Sequence, residues 1–120
     1  MLQRANRFHG RRSVASIRGF LVHTNHFSFR AGKSKIATYR VAVVVSKKVA
    51  SSAVDRNRIR RRVFEVVRTQ HRLNGSSLDL IIYVKDASIK DIDWQTLGDE
   101  IAHGTKKVLA GLSRPKPKAH

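Results

Sequence analysis

An arginine-rich segment with regularly spaced apolar residues constrains the fold of this chain more than any other feature. Seven of the eighteen residues in 55–72 are arginine. Interleaved with these arginines are Ile59, Val63, Val66 and Val67. On an α-helix, with about 100° between successive residues, these four apolar residues fall within one arc of roughly 100°. The pattern therefore predicts a helix over about 53–72 that packs its apolar side on a sheet.

The other side of this helix is almost entirely positive. Glu65 is the only acidic residue in the segment after Asp55. Solvated helix faces ordinarily mix both signs at i,i+4 spacing, and like charges at that spacing destabilise a helix. A guanidinium group is well shaped to bind phosphate through two hydrogen bonds. The segment therefore indicates an interface with a polyanion rather than an ordinary solvated surface.

The whole chain shares this positive charge. Its 25 Lys and Arg against 8 Asp and Glu give a formal net charge of +17. Such a charge repels itself in a compact fold, so a neutralising partner is expected: RNA, DNA or an anionic membrane. No apolar stretch approaches the roughly 18 residues that a membrane span needs. Nucleic acid is therefore the expected partner, without a membrane.

Composition also bounds the chemistry, the location and the number of domains. The absence of cysteine excludes disulfides, thiolate zinc sites and thiol catalysis. The first residues lack the apolar core of a signal peptide, so we expect a cytoplasmic protein. A length of 120 residues is typical of one domain. We expect a single RNA-binding domain at 1–112 and a basic, disordered tail at 113–120.

Three elements are predicted ahead of the arginine-rich segment. Apolar residues at helical spacing favour a short helix over 13–17. Alternating apolar and polar residues over 20–30 predict a strand with one buried face. A turn over 31–35 is expected to close a hairpin onto the next strand, over 36–46.

Three further elements are predicted from the remaining sequence. Ser52 and Asp55 have capping-box spacing, which places the start of the arginine-rich helix at about 53. The apolar run 78–84 predicts a strand. Asp93 is a candidate N-cap for a last helix. The apolar stripe of that last helix would comprise Trp94, Leu97, Ile101 and Val108.

Two consecutive motifs resemble a known family. Residues 43–49 read Val-Val-Val-Ser-Lys-Lys-Val, and residues 56–61 read Arg-Asn-Arg-Ile-Arg-Arg. A strand that ends in Ser-Lys-Lys, a short turn and a helix that opens with Arg-Asn-Arg are the signature of the bacterial ribonuclease P protein subunit. The strand at 79–85 also resembles the family's strand after that helix. The resemblance extends over about 4–112.

The resemblance implies an α+β fold, an α/β sandwich. Its elements would be an N-terminal helix, a central, mostly antiparallel four-stranded sheet, the arginine-rich helix and a C-terminal helix. The arginine-rich helix would lie in a left-handed βαβ crossover, against the usual right-handed rule.

The resemblance also implies a function, namely assistance in removing the 5′ leader from precursor tRNA. In that family the RNA subunit carries the endonuclease site and its Mg²⁺ ions. The protein would bind the RNA subunit and the leader, and it would contribute no catalytic residue and hold no metal ion itself. By this resemblance, the contacts with the RNA subunit would come from Lys47, Lys48, Arg56, Asn57, Arg58, Arg60, Arg61, Arg62 and Arg68.

The family binds the leader in a cleft between the first helix and the exposed sheet face. Carried over to this chain, the cleft residues would be Arg11, Arg12, Val14, Ile17, Phe27, Phe29, Tyr39 and Val41. The family commonly has phenylalanine where this chain has valine and isoleucine in the first helix, and aromatic rings stack bases better. A second departure is Ala50-Ser51, where the family usually has glycine, so the turn after Lys48 is expected to differ in shape.

Two other functions are compatible with the arginine-rich helix taken alone. One is a structural RNA-binding protein of ribosomal type without a role in cleavage. The other is a DNA-binding module, although no partner helix is predicted for a helix-turn-helix. No pair of acidic residues has catalytic spacing, and His23 and His26 are expected to face RNA or solvent rather than a metal.

Overall fold

A four-stranded sheet lies at the centre of the structure. The computed structural model describes residues 20–33, 39–70 and 78–113. Its strands are β1 (Phe20–His23), β2 (Phe27–Lys33), β3 (Arg40–Val44) and β4 (Leu78–Val84). Its helices are α1 (Ala53–Gln70), a short 3-10 helix (Ala87–Lys90) and α2 (Trp94–Ser113).

The strands lie in the order β1-β2-β4-β3. Strand β2 pairs antiparallel with β1 and with β4, whereas β3 pairs parallel with β4. The arginine-rich helix α1 is the crossover between the two parallel strands. The expected α+β fold with a mostly antiparallel sheet is therefore confirmed, while the handedness of the crossover stays a prediction. The predicted helix at 13–17 and residues 114–120 of the predicted tail lie outside the described residues, and Ser113 is the last residue of α2.

The predicted hairpin between the strands expected at 20–30 and 36–46 is wrong. The segment 20–30 contains two strands, because the chain turns at Thr24, whose N–H donates to the Phe27 carbonyl at 2.8 Å. Residues 31–33, expected in a turn, continue β2. The next strand is shorter than its predicted span of 36–46 and pairs with β4 instead of β2. Strand neighbours are fixed by long-range pairing, which local turn chemistry at 31–35 does not reveal.

Both helices cover the same face of the sheet. Alternate strand residues point to this face, as the two-residue period of a strand requires. The fully buried residues of this core include Phe27, Phe29, Val41, Leu80 and Ile82 from the sheet and Ile59, Val63, Leu97 and Ile101 from the helices. The core thus fixes α1 by its apolar side and leaves its opposite side to solvent.

The helix starts predicted from sequence are confirmed. The Asp55 N–H lies 3.4 Å from Ser52 Oγ, so Ser52 caps α1. Helix α2 begins after Asp93, whose carboxylate accepts the Thr96 N–H at 3.0 Å. Leu97, Ile101 and Val108 are buried as expected. Trp94 is not, because 47% of its surface is exposed, so its place in the buried stripe is corrected.

A half-buried carboxylate ties the β1–β2 turn to α2. Glu100 Oε2 accepts the Thr24 hydroxyl at 2.6 Å and the His26 N–H at 2.7 Å. Its Oε1 accepts His26 Nδ1–H at 2.6 Å. Burial alone would raise the pKa of Glu100, but these hydrogen bonds outweigh it and hold the pKa below its usual range. His26 is therefore a structural residue and faces neither RNA nor a metal in this contact.

Two glycines of α2 give a matched pair of stability tests. A Cβ on Gly104 would lie 2.1 Å from the buried Phe29 ring, whereas a Cβ on Gly98 would meet only Gln70 Nε2 at 3.8 Å. We expect Gly104→Ala to lower the free energy of unfolding by about 1–3 kcal/mol. Gly98→Ala should raise it by roughly 0.5–1 kcal/mol, because alanine favours a helix. Urea unfolding measures both, and a stabilising Gly104→Ala would contradict the packing.

The Glu100 anchor predicts a pH dependence of stability. The pKa of Glu100 is lower in the folded than in the unfolded chain, so the unfolded chain binds the proton first as the pH falls. The hydrogen bonds of Glu100 therefore stabilise the fold fully above the ordinary glutamate pKa of about 4.3, and this stabilisation is lost as the pH falls through and below that value. Glu100→Gln should lower the free energy of unfolding at pH 7 and make that free energy fall less steeply as the pH is lowered. The control Asp99→Asn, on an exposed neighbour, should leave the acid decline in place; an equal flattening in both variants would contradict the anchor.

Candidate nucleic-acid interface

The outer side of α1 and the turn before it form the candidate interface. Ile59, Val63, Val66 and Val67 are buried, as predicted, so the arginines between them point away from the sheet. The turn that leads into α1 is closed by the N–H groups of Val49 and Ala50, which both donate to the Ser46 carbonyl at 3.1 Å. This turn places Lys47 and Lys48, both exposed, beside the start of the helix.

Four cations of this surface have no charge partner within the described part of the chain. Lys47, Lys48, Arg58 and Arg61 are exposed and form no hydrogen bond or ion pair there. We call these four residues the open cation set. Because each is held on a folded element rather than a loose tail, their charges are available to an external anion at little ordering cost.

The beginning of α1 uses three of its predicted contact residues internally. Arg56 Nη1 donates to the carbonyls of Ala50 at 2.9 Å and Ser51 at 2.8 Å, which fixes the turn against the helix. Arg60 Nη1 donates to Asn57 Oδ1 at 2.8 Å. Arg56 therefore shapes the surface, and Arg60 and Asn57 orient each other on it.

Arg62 faces the protein rather than an external partner. Its Nη1 and Nη2 donate to the carbonyls of Ile89 and Ile92, each at 2.6 Å. Its Cζ lies 5.6 Å from the centre of the Trp94 ring, within the range of a cation–π contact. The prediction that Arg62 binds RNA is corrected, because its guanidinium clamps the segment before α2. Backbone acceptors in a loop leave no trace in the sequence, so this role could not be predicted.

Arg68 is neutralised within α1. Its guanidinium forms an ion pair with Glu65 Oε1, one turn earlier. The hydrogen bond from Arg68 lowers the pKa of Glu65 to about 2, so this carboxylate stays charged at any physiological pH. Arg68 therefore adds less to the outward charge than the open cation set does.

The predicted leader-binding residues lie partly within and partly outside the described ranges. Arg11, Arg12, Val14 and Ile17 lie outside the described residues. Phe27, Phe29 and Val41 are fully buried on the helix-covered face, so the prediction that they contact the leader is wrong. Tyr39 packs against the same core and is half-buried, which raises the pKa of its hydroxyl.

The opposite face of the sheet carries different residues, and the sequence analysis missed them. Cross-strand neighbours there include Ser28 beside Tyr83 and Arg30 beside Ile81. Arg30 Nε is buried and has no hydrogen-bond partner. The alternation in Phe27-Ser28-Phe29-Arg30 could have revealed this face, since the polar residues of a half-buried strand mark the side away from the main core.

A bidentate ion pair also lies on this opposite face. Arg40 Nε donates to Asp79 Oδ1 at 2.7 Å, and Arg40 Nη2 donates to Oδ2 at 2.8 Å. The hydrogen bond with Asp79 raises the pKa of Arg40 despite partial burial. The pair joins neighbouring positions of β3 and β4. The charges of Arg40 and Asp79 largely cancel. Arg30, on the same face, has no carboxylate partner among the described residues.

The described residues contain neither a metal centre nor a membrane span. No group of three or more His, Asp or Glu in residues 20–33, 39–70 and 78–113 could hold a metal ion. Among the same residues, no helix combines the length and the apolar composition needed to cross a membrane.

Known proteins include relatives of this chain. The family model for ribonuclease P matches residues 2–109. The ribonuclease P protein component of a Pseudanabaena species is 30% identical over 116 residues, which cover 92% of this chain and 99% of that protein. The corresponding Idiomarina loihiensis protein is 37% identical over 68 residues, and this alignment spans 56% of the chain and about half, 53%, of that relative.

A solved structure shows the same fold. The Staphylococcus aureus RNase P protein aligns with a TM-score of 0.74 at 24% identity, covering 92% of this chain and all of that one. The family model spans nearly the full length of the chain. On these grounds the chain belongs to the ribonuclease P protein family.

Proposed function

We propose that this chain is the protein subunit of a ribonuclease P holoenzyme and binds its catalytic RNA through the open cation set. The proposal is carried by four exposed cations that have no charge partner among the described residues: Lys47 and Lys48 in the turn before α1, and Arg58 and Arg61 on its outer side. Membership of the family supports the choice of RNA as the polyanion.

The chemistry of the open cation set suits an RNA backbone. Lysine and arginine bind phosphate without reading sequence, and the deep, narrow major groove of A-form RNA hides its bases from side chains. The shape of the RNA would therefore decide where α1 docks. Arg60 and Asn57, which orient each other, would contact a phosphate or a ribose hydroxyl at the edge of this surface.

The active site in this proposal belongs to the RNA. Precursor tRNA would be the substrate, and the RNA subunit would hold the Mg²⁺ ions of the active site. The protein contributes positive charge and a second contact with the 5′ leader. The opposite sheet face, with the half-buried Arg30 and Tyr83, is where we place that leader contact, in place of the buried Phe27 and Phe29.

Reconstitution tests the division of labour between protein and RNA. With a bacterial ribonuclease P RNA and Mg²⁺, the protein should increase cleavage of precursor tRNA at low ionic strength, and the protein alone should leave the substrate intact. The measurement is the rate of release of the 5′ leader. Cleavage by the protein alone would assign a nuclease site to the chain. Tight RNA binding with no effect on leader removal would instead indicate a structural protein of ribosomal type.

Counterion release tests the open cation set. If Arg58 and Arg61 each meet a phosphate, replacing either with glutamine should weaken binding of the ribonuclease P RNA and reduce the slope of log affinity against log salt by about 0.7–0.9. Filter binding between low and moderate salt measures the slope.

A charge-matched control separates a local contact from a general loss of charge. Lys106 is an exposed cation of α2 without a hydrogen bond in the described chain. Lys106→Gln changes the net charge as Arg58→Gln does, but it should leave the slope within error of the unmodified protein. Equal slopes for all three variants would place the RNA contact elsewhere.

A further inference from the structure

The chain's single tryptophan lies unusually open at the start of α2. Trp94 is 47% exposed, whereas Leu97 and Ile101 on the same helix are fully buried. A large aromatic ring stabilises a protein most when it is buried. An exposed indole on a folded helix is therefore a candidate contact for a binding partner.

The indole is held in place by Arg62. The guanidinium of Arg62 lies over the Trp94 ring at 5.6 Å and is itself fixed by two backbone carbonyls. A ring restrained in this way loses little conformational freedom when a partner binds. The clamp therefore prepares a rigid aromatic platform next to the arginine-rich helix.

Space for a flat ligand is present beside the platform. Arg61, Arg62, Glu65 and Trp94 line a cavity of about 340 Å³. Trp94 also borders a second cavity, of about 400 Å³, next to Gln70. The indole is therefore accessible from the groove between α1 and α2, and Arg61 of the open cation set stands at its edge.

We infer that Trp94 stacks on an unpaired nucleobase of the bound RNA while Arg61 binds an adjacent phosphate. The inference rests on the proposed function, since it adds a base contact to the phosphate contacts of α1. Charge selects the occupant: Glu65 in the same lining is already paired with Arg68, so a partner that meets Arg61 on a chain of net charge +17 is an anion. A partner that also fills an aromatic slot carries a flat ring. In a paired helix the faces of the bases are covered by stacking, so the nucleotide is a bulged or single-stranded one.

Three variants separate stacking from simple apolar contact. In filter binding with a bacterial ribonuclease P RNA, Trp94→Phe should stay close to the unmodified protein because phenylalanine still stacks. Trp94→Leu and Trp94→Ala should each weaken binding roughly 5- to 150-fold. Since Trp94 carries no charge, the salt slope should be unchanged in all three, unlike in Arg61→Gln. A leucine variant that binds as well as the phenylalanine variant would overturn the inference.

Fluorescence of the unmodified protein gives a readout that needs no variant. Emission of the single tryptophan should be quenched as RNA is added, with the same midpoint as the binding curve from filter binding. In the complex, acrylamide should quench the remaining emission less than it does in the free protein. Binding with unchanged emission and acrylamide access would refute the base contact and leave the proposed function standing. Absence of any RNA binding would refute both. Quenching that follows protein concentration without RNA would show that a second copy covers Trp94, and it would also overturn the inference.

Discussion

Packing of the apolar side of α1 on the sheet is the interaction on which the rest of the structure depends. Four buried side chains, Ile59, Val63, Val66 and Val67, hold the helix there. Burying each contributes roughly 1.5–3 kcal/mol. Repulsion between like charges on a helix costs only about 0.2–0.5 kcal/mol per pair. The core can therefore hold an arginine-rich helix in place without help from internal ion pairs, and this is what leaves cations available for a partner.

Four arginines of α1 divide into two groups by what they touch. Arg56 and Arg62 donate to backbone carbonyls of neighbouring loops and so build the surface. Arg58 and Arg61 point outward and carry its charge. A guanidinium can serve either purpose because its donors form a planar fork that fits carbonyl and phosphate oxygens alike. The motif is thus both a structural and a binding element.

Local patterns predicted the parts of the fold that local chemistry decides. Helix α1, strand β4 and the caps at Ser52 and Asp93 follow from spacing and side-chain type, and the structure has them where expected. Strand order does not follow, because β4 is inserted between β2 and β3 by pairing over long sequence separations.

The errors in the predicted site have a related cause. Choosing Phe27 and Phe29 for RNA contact amounts to choosing the wrong side of a strand, and a shift of one residue exchanges its two faces. The inward role of Arg62 depends on the positions of the Ile89 and Ile92 carbonyls. Both features are properties of tertiary arrangement, whereas the outward face of α1 was visible in the sequence itself.

The strand order has a consequence for folding of the chain during its synthesis on the ribosome. Strands β1 and β2 can form a hairpin early, but β3 has no neighbour until β4 has been synthesised, because β4 lies between β2 and β3. Helix α1 is synthesised before β4, so the complete sheet on which it packs is not yet present when α1 leaves the ribosome. A nascent chain therefore exposes a basic, apolar-striped segment until residues 78–84 emerge, and its RNA-docking surface matures only when the last strand closes the sheet.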